Sequence, residues 1–288
     1  MPIALVTGCS TGIGFATAVA LARAGHEVFA GMRNPIESPE LAQLAATEKL
    51  SVTVVSLDVD SDESVRTGVQ QILAAKGSID VLVNNAGIGG GGPVEEVDIS
   101  EFRKVMETNF FGALRCTQAV LPAMREMKSG HILNVTSIAG RVPLSPQGPY
   151  AASKFALEAL SEILAQEVKP FGILVSVIEP GVIATPIFGK VPPRQCSSYY
   201  PQGKRIRALF RASLQNPTPP SVVGDKIVTI VKTRDATLRH LVGPDAKGFI
   251  DWRSSMTDEQ MIEWAGVESD EQWANNVKRD FGLEVEFS

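Results

Sequence analysis

The feature that most constrains this chain is a regular alternation along most of its length. Short apolar runs rich in β-branched residues recur at 3–7, 27–32, 52–57, 80–84, 131–136 and 173–178, and each is followed by a helical pattern long enough to cross back over a sheet. That order predicts an α/β fold, a doubly wound parallel sheet with helices on both faces. A helix at about 222–234 and a short strand around Leu241-Val242 complete a seven-stranded version. Ligands of such sheets lie beyond the carboxyl ends of the strands, where the winding reverses, so the loops after strands are where chemistry is expected.

The first of these loops reads Thr7-Gly8-Cys9-Ser10-Thr11-Gly12-Ile13-Gly14 and leads into an apolar helix ending near Ala24-Gly25. Glycines there let the backbone turn sharply and approach a pyrophosphate, which then rests on amides at the positive end of the helix. The same residues satisfy Gly-x-Ser-x-Gly, the nucleophile elbow of serine hydrolases, with Ser10 as nucleophile. That alternative needs an acid and a later histidine, and only His131 and His240 follow Ser10 at a distance. It also lacks upstream strands to build an oxyanion loop.

After the strand Ile132-Leu133-Asn134-Val135 comes Ser137, and thirteen residues later Tyr150 opens the helix Tyr150-Ala151-Ala152-Ser153-Lys154. One turn separates Tyr150 from Lys154, so both project from one face. Tyrosine and lysine at this spacing are common helix neighbours; the glycine loop upstream gives the pair its meaning. With a hydride carrier bound, Ser137 would polarise a carbonyl oxygen, Tyr150 would transfer the proton, and Lys154 would lower the tyrosine pKa and hold the nicotinamide ribose. No metal is required.

The formal net charge of −5 and the lack of a dominating basic run argue against nucleic acid as a partner and for a small molecule. The text begins as a strand, without the n-region and h-region of a secretory signal, and has no apolar stretch of about 18 residues. A soluble, cytoplasmic protein without a membrane span is expected. The three cysteines, Cys9, Cys116 and Cys196, are expected to be reduced thiols.

Over about residues 1–245 the sequence resembles the short-chain dehydrogenase/reductase family. The motifs that carry the resemblance are Thr7-Gly8-x-x-x-Gly12-x-Gly14, Asp58-Val59, Asn84-Asn85-Ala86-Gly87, Asn109, Ser137, Tyr150-x-x-x-Lys154 and Pro180-Gly181, in family order and spacing. The resemblance implies a Rossmann-type fold and a catalytic tetrad of Asn109, Ser137, Tyr150 and Lys154. In it, Asn109 would hold a water that relays protons from Lys154. It also implies that Asp58 and Val59 contact the adenine, that Asn84 to Gly87 stabilise the sheet beside the cofactor, and that Ile183 and Thr185 hold the carboxamide. The second strand ends at Met32, where NAD-preferring members carry an acid, and Arg33 and Asn34 follow with nothing acidic beside them. Arg33, helped by Ser10, therefore predicts NADP(H). Gly8-Cys9-Ser10, Met32-Arg33-Asn34-Pro35 and Glu179-Pro180-Gly181 look most like the 17β-hydroxysteroid dehydrogenase-like branch, which points to an apolar substrate resembling a steroid, retinoid or aryl ketone. Some members of this fold are NADP(H)-sensing binding proteins that have lost part of the acid/base set; this chain retains all four residues.

Two regions break the alternation. Residues 186–220 hold six basic side chains (Lys190, Arg194, Lys204, Arg205, Arg207, Arg211), no acid, and a helical apolar set at Ile206, Leu209, Phe210 and Leu214. This segment is expected to be a substrate lid. Its charges are expected to form mainly a solvated face, with an anionic substrate, the acidic tail or a membrane surface as alternatives. From Asp251 to Ser288 there are ten acidic and three basic residues and all three tryptophans, Trp252, Trp264 and Trp273. We therefore divide the chain into a catalytic domain over 1–250 and a C-terminal extension over 251–288 that has apolar surface to bury. Apolar residues around much of the helix 150–168 lead us to expect a homodimer or homotetramer.

Overall fold

A computed structural model describes residues 1–190 and 199–287. Arg194 and Cys196 lie outside the described residues. Seven strands, β1 (Ile3–Thr7), β2 (Glu27–Met32), β3 (Val52–Ser56), β4 (Val81–Asn84), β5 (Gly130–Val135), β6 (Ile173–Pro180) and β7 (Arg239–Val242), form one sheet in the order β3-β2-β1-β4-β5-β6-β7. Every pairing is parallel. Successive side chains of β1 enter opposite layers: Ala4 and Val6 pack with α1 (Gly12–Arg23), α2 (Glu40–Glu48) and α9 (Pro220–Thr233), while Ile3 and Leu5 pack with α3 (Asp62–Lys76), α5 (Gly112–Met127) and α6 (Gly148–Val168). Because both faces are covered, strand β1 is buried at all five positions and reads as a continuous apolar run.

The winding reverses between β1 and β4, which opens a crevice at their carboxyl ends. Helix α4 (Ile99–Met106) runs into α5 through a π-helical turn, Glu107–Phe111. Helix α6 begins at Gly148, with Pro149 in its first turn, so Tyr150 and Lys154 both lie within its first two turns.

Beyond β6 lie α7 (Ile187–Lys190) and α8 (Gln202–Ser213), the helix expected inside the lid segment. The acidic C-terminal stretch folds into α10 (Ala246–Ser254), α11 (Asp258–Ala265) and α12 (Asp270–Phe281), so residue 250 falls within α10. Thr257 and Gln260 form a capping box on α11, and Ser269 caps α12. Trp264, Trp273 and Val277 are buried against Ile206 and Leu209 of α8. Burial of each such side chain stabilises by about 1.5–3 kcal/mol, which is why an otherwise acidic stretch folds.

Among the described side chains of that basic set, Arg205 and Lys204 depart from the expected solvated face. Arg205 is 1% exposed, with Nε donating to Asp270 Oδ1 at 2.8 Å and Nη1 and Nη2 donating to the carbonyls of Val267 and Glu268. Lys204 pairs with the same Asp270. The helix is thus held against the acidic extension, because a guanidinium can enter an apolar cluster only with its donors satisfied. Among the described residues no helix is long and apolar enough to cross a membrane.

Candidate active site

A cleft of about 1410 Å³ runs along the carboxyl edge of the sheet and over the crevice between β1 and β4. That exceeds the ~300–1,000 Å³ of an ordinary ligand pocket and leaves room for a dinucleotide together with a second molecule. All the residues expected to bind cofactor or carry catalysis line it, except Gly14 and Asn109.

At one end, Gly8 has φ +70°, and a Cβ there would lie 2.7 Å from the Ala86 Cα. Asn85 Nδ2 donates to the Thr7 carbonyl at 2.8 Å, and the backbone amides of Asn85 and Ala86 both donate to Thr7 Oγ1 at 3.0 Å. These bonds stitch β1 to the loop after β4 and leave the glycine turn facing the cleft. Gly14 lies beneath this turn: a Cβ there would sit 2.4 Å from both Asn85 Nδ2 and the Gly8 carbonyl oxygen. The N-cap of α1, Thr11, makes no side-chain capping bond, so the helix presents uncapped amides to the cleft. A bare, positively polarised helix end behind a cradle that tolerates no side chain fits a dinucleotide pyrophosphate.

The rim beside β2 is less simply cationic than the sequence suggested. Met32 is buried and Arg33 exposed, as their places at a strand end require, but Arg33 Nη1 stands 4.0 Å from Asp60 Oδ2. Asn34 donates to Glu37 Oε2 at 3.1 Å, and Glu37 also lines the cleft. The expectation of nothing acidic beside Arg33 is therefore corrected, because loop closure brings in acids that lie four and twenty-seven residues further along the chain. Asp58 and Val59 line the cleft near Arg33, and Asp58 Oδ1 accepts the amide of Asp60 at 3.1 Å.

Ser137, Tyr150 and Lys154 meet at the floor of the cleft. Ser137 Oγ accepts the amide of Ala139 at 3.1 Å and lies close enough to the Tyr150 phenol to act on its pKa. Burial pushes the phenol above its ordinary pKa, and Ser137 works against that rise. The Lys154 Nζ lies 5.6 Å from the Tyr150 ring centroid but donates its bond to the Val135 carbonyl at 2.9 Å. Burial drives the lysine down from 10.5 to about 8, with Glu158, one turn further on, opposing the fall. Desolvation of both groups thus outweighs the activation that the Tyr150–Lys154 spacing provides by itself.

Asn109 sits in the π-helical turn and is 1% exposed. Its Oδ1 accepts the Ile88 amide at 2.8 Å, and Nδ2 donates to the Ile88 carbonyl and to Ser153 Oγ, each at 3.0 Å. The side-chain amide is fully engaged beneath the Gly87-Ile88 loop and does not reach the cleft. Such turns insert a residue into a helix and re-aim a side chain, which no local spacing reveals.

Asp245, Glu158 and Thr136 reach the site without a sequence signature. Asp245, after β7, accepts the Val182 amide at 2.8 Å and stands where a Gly181 Cβ would be, 2.2 Å from its Oδ1. Glu158 and Glu179 are buried behind Lys154 and Pro180; Arg239 bridges the two, and Arg141 pairs with Glu179. Thr136 donates to Glu158 Oε1 at 2.7 Å, tying this cluster to the residue before Ser137. Arg207 of α8 enters the lining of the cleft opposite the buried Arg205.

The hydrolase arrangement is not assembled. His131 lies at the start of β5 and bonds Ser176, His26 precedes β2, and His240 is on β7, four strands across the sheet from β1 and Ser10. Among the described residues there is also no group of histidine, cysteine and carboxylate side chains that could hold a metal ion.

The comparisons agree with this geometry. The family description "short chain dehydrogenase" matches residues 2–195. The chain is 37% identical over 270 residues to a 3-ketodihydrosphingosine reductase of Bacteroides thetaiotaomicron, covering 91% of this chain and 96% of the relative. Among solved structures, a short-chain dehydrogenase from Streptomyces avermitilis superposes with a TM-score of 0.81 at 35% identity, covering 92% of this chain and 97% of that one. An actinorhodin polyketide ketoreductase solved with NADPH gives a TM-score of 0.74 at 27% identity over 85% of this chain and 97% of the other. With the glycine cradle, the serine–tyrosine–lysine floor and these matches in agreement, the chain belongs to the short-chain dehydrogenase/reductase family of oxidoreductases.

Proposed function

We propose that this oxidoreductase uses NADP(H) to interconvert a carbonyl and an alcohol on a largely apolar substrate, with Tyr150 as acid/base. The observation that carries the reading is the convergence of Ser137, Tyr150 and Lys154 on one floor of a cleft large enough for cofactor and substrate together. When bound, the nicotinamide supplies or accepts the hydride. Ser137 donates a hydrogen bond to the substrate oxygen, and Tyr150 gives that oxygen its proton in reduction and takes it back in oxidation. Lys154 keeps an ammonium beside the phenol while its bond to Val135 fixes its reach. Asn109 holds the Gly87-Ile88 loop over the lysine: a Gly87 Cβ would lie 3.3 Å from Asn109 Oδ1 and 3.7 Å from Lys154 Nζ.

The NADP(H) preference rests on Arg33 at the rim and on Met32 where an acid would oppose a 2′-phosphate. Asp60 tempers that preference, and the NADPH-bound ketoreductase neighbour supports it. The relative's action on a ketodihydrosphingosine supports the apolar class. Phe155 and Ile163 of α6 and Phe111 before α5 stay exposed, at 42%, 53% and 42%, which supports a homodimer or homotetramer; a monomeric mass by light scattering would refute it.

The test is oxidation of NADPH and NADH over a panel of steroid, retinoid, aryl and aliphatic carbonyl compounds. Turnover with NADPH is expected to fall at least ~100-fold in Tyr150→Phe, in the range of a lost general acid, with NADPH affinity kept. Arg33→Ala is expected to erase the preference over NADH. Tight NADPH binding with no reduction of any compound would overturn the enzymatic reading in favour of a cofactor-sensing one.

A further inference from the structure

The cleft beyond the catalytic floor is walled by apolar side chains, among them Leu144, Ile187, Phe188, Ile206, Phe210 and Phe249. One cation enters that wall. Arg207 of α8 lines the cleft, is exposed, and makes no hydrogen bond or ion pair with any described residue. The other cleft cations are placed differently: Arg33 stands by Asp60, Lys154 is bonded to Val135, and Lys104 lies on α4 one turn from Glu101.

The direction of Arg207 is set by its neighbour. Arg205 is locked into the C-terminal helices by bonds to Asp270, Val267 and Glu268. Two residues on a helix are roughly 200° apart, so locking 205 against the extension turns 207 to the opposite side. Ile206 and Leu209 bridge the two sides, because they line the cleft and pack on the tryptophan cluster. The tail thus fixes the rotation of α8 and holds a planar, permanently charged, five-donor group at the edge of an apolar cavity.

We propose that Arg207 is a specificity-determining residue that receives an anionic group, such as a carboxylate, at the end of a substrate with an apolar body. This proposal rests on the reading of the cleft as a substrate site and deepens it. A guanidinium at this place favours an apolar acid over the corresponding neutral alcohol, and both over an amine.

The test is calorimetric titration of NADPH-loaded protein with decanoate and with decan-1-ol, a pairing in which the reduced cofactor can transfer hydride to neither compound, so the readout does not depend on turnover. Wild type is expected to bind decanoate about tenfold more tightly than decanol, the order of one charge-assisted hydrogen bond. Arg207→Gln is expected to close that gap while leaving the affinities for decanol and for NADPH unchanged. An undiminished gap in Arg207→Gln would overturn the proposal, as would failure of wild type to bind either compound or to prefer decanoate. Loss of NADPH affinity in the variant would assign Arg207 to the cofactor instead. Absence of reductase turnover with these results intact would count against the proposed reaction and leave the anion site standing.

Discussion

Replacing Arg205 by alanine removes the guanidinium bonds to Asp270 Oδ1 at 2.8 Å, to the Val267 carbonyl at 2.8 Å and to the Glu268 carbonyl at 2.9 Å. Deleting one member of a buried ion pair costs about 3–5 kcal/mol. Here Asp270 is 27% exposed and keeps Lys204, which places the loss near the lower end, about 3 kcal/mol. At about 2 °C per kcal/mol for a chain of this size, the melting temperature should fall by about 6 °C. All three tryptophans lie in α10, α11 and α12, so their emission follows this region while far-UV circular dichroism follows the whole chain. In Arg205→Ala the fluorescence transition should move ahead of the dichroism transition. Burial works to raise the Asp270 carboxyl, but the bonds from Lys204 and Arg205 outweigh it and hold the group below its ordinary pKa. A depressed carboxyl stabilises above its unfolded pKa and loses that contribution as pH falls through the folded value. The gap between variant and wild type should therefore narrow below about pH 4. A variant melting within about 1 °C of wild type at pH 7, with the two transitions coincident, would refute the assignment of Arg205 as the tie between α8 and the extension.

Lys154→Met should trade function for stability. Burial lowers Lys154 from 10.5 to about 8, so the folded state carries the cost of a buried ammonium below pH 8 and regains stability as pH rises from 8 to 10.5. Relief of that cost is roughly 3 kcal/mol, less about 1 for the lost bond to Val135, so cofactor-free Lys154→Met should melt above wild type at pH 7 and lose turnover. Equal or lower stability at pH 7 in thermal melts would contradict this, and the advantage should vanish near pH 10.5. Gly181→Ala would place a Cβ 2.2 Å from Asp245 Oδ1 and should weaken NADPH binding about tenfold by displacing the loop after β6. Adding Asp245→Ala should restore part of that affinity in a fluorescence titration; no restoration would show that the contact is not the cause.

What the sequence by itself determined is local or periodic. The run at 27–32 became β2 with those same ends, because a strand buried on both faces is apolar over its buried positions, here Val28 to Met32. The glycine cradle was legible because backbone conformations such as φ +70° at Gly8 and +63° at Gly12 leave few other residues possible. Tyr150 and Lys154 share a face through helical geometry alone. Only the tertiary structure decided which basic residue does what: Arg205 and Arg207 stand two apart in the same stretch, yet one is 1% exposed against Asp270 and the other faces the cleft. The acids beside Arg33, the seating of Asn109 in a π-helical turn, and the grip of Asp245 on Gly181 and Val182 were equally hidden. Burial and charge pairing depend on which distant segments the sheet and helices bring together, and a periodic pattern in one segment carries no record of its partner. The pKa of Tyr150 shows the consequence most directly. Spacing places a lysine nearby, but the desolvation that governs both groups comes from the cleft walls that the whole chain assembles.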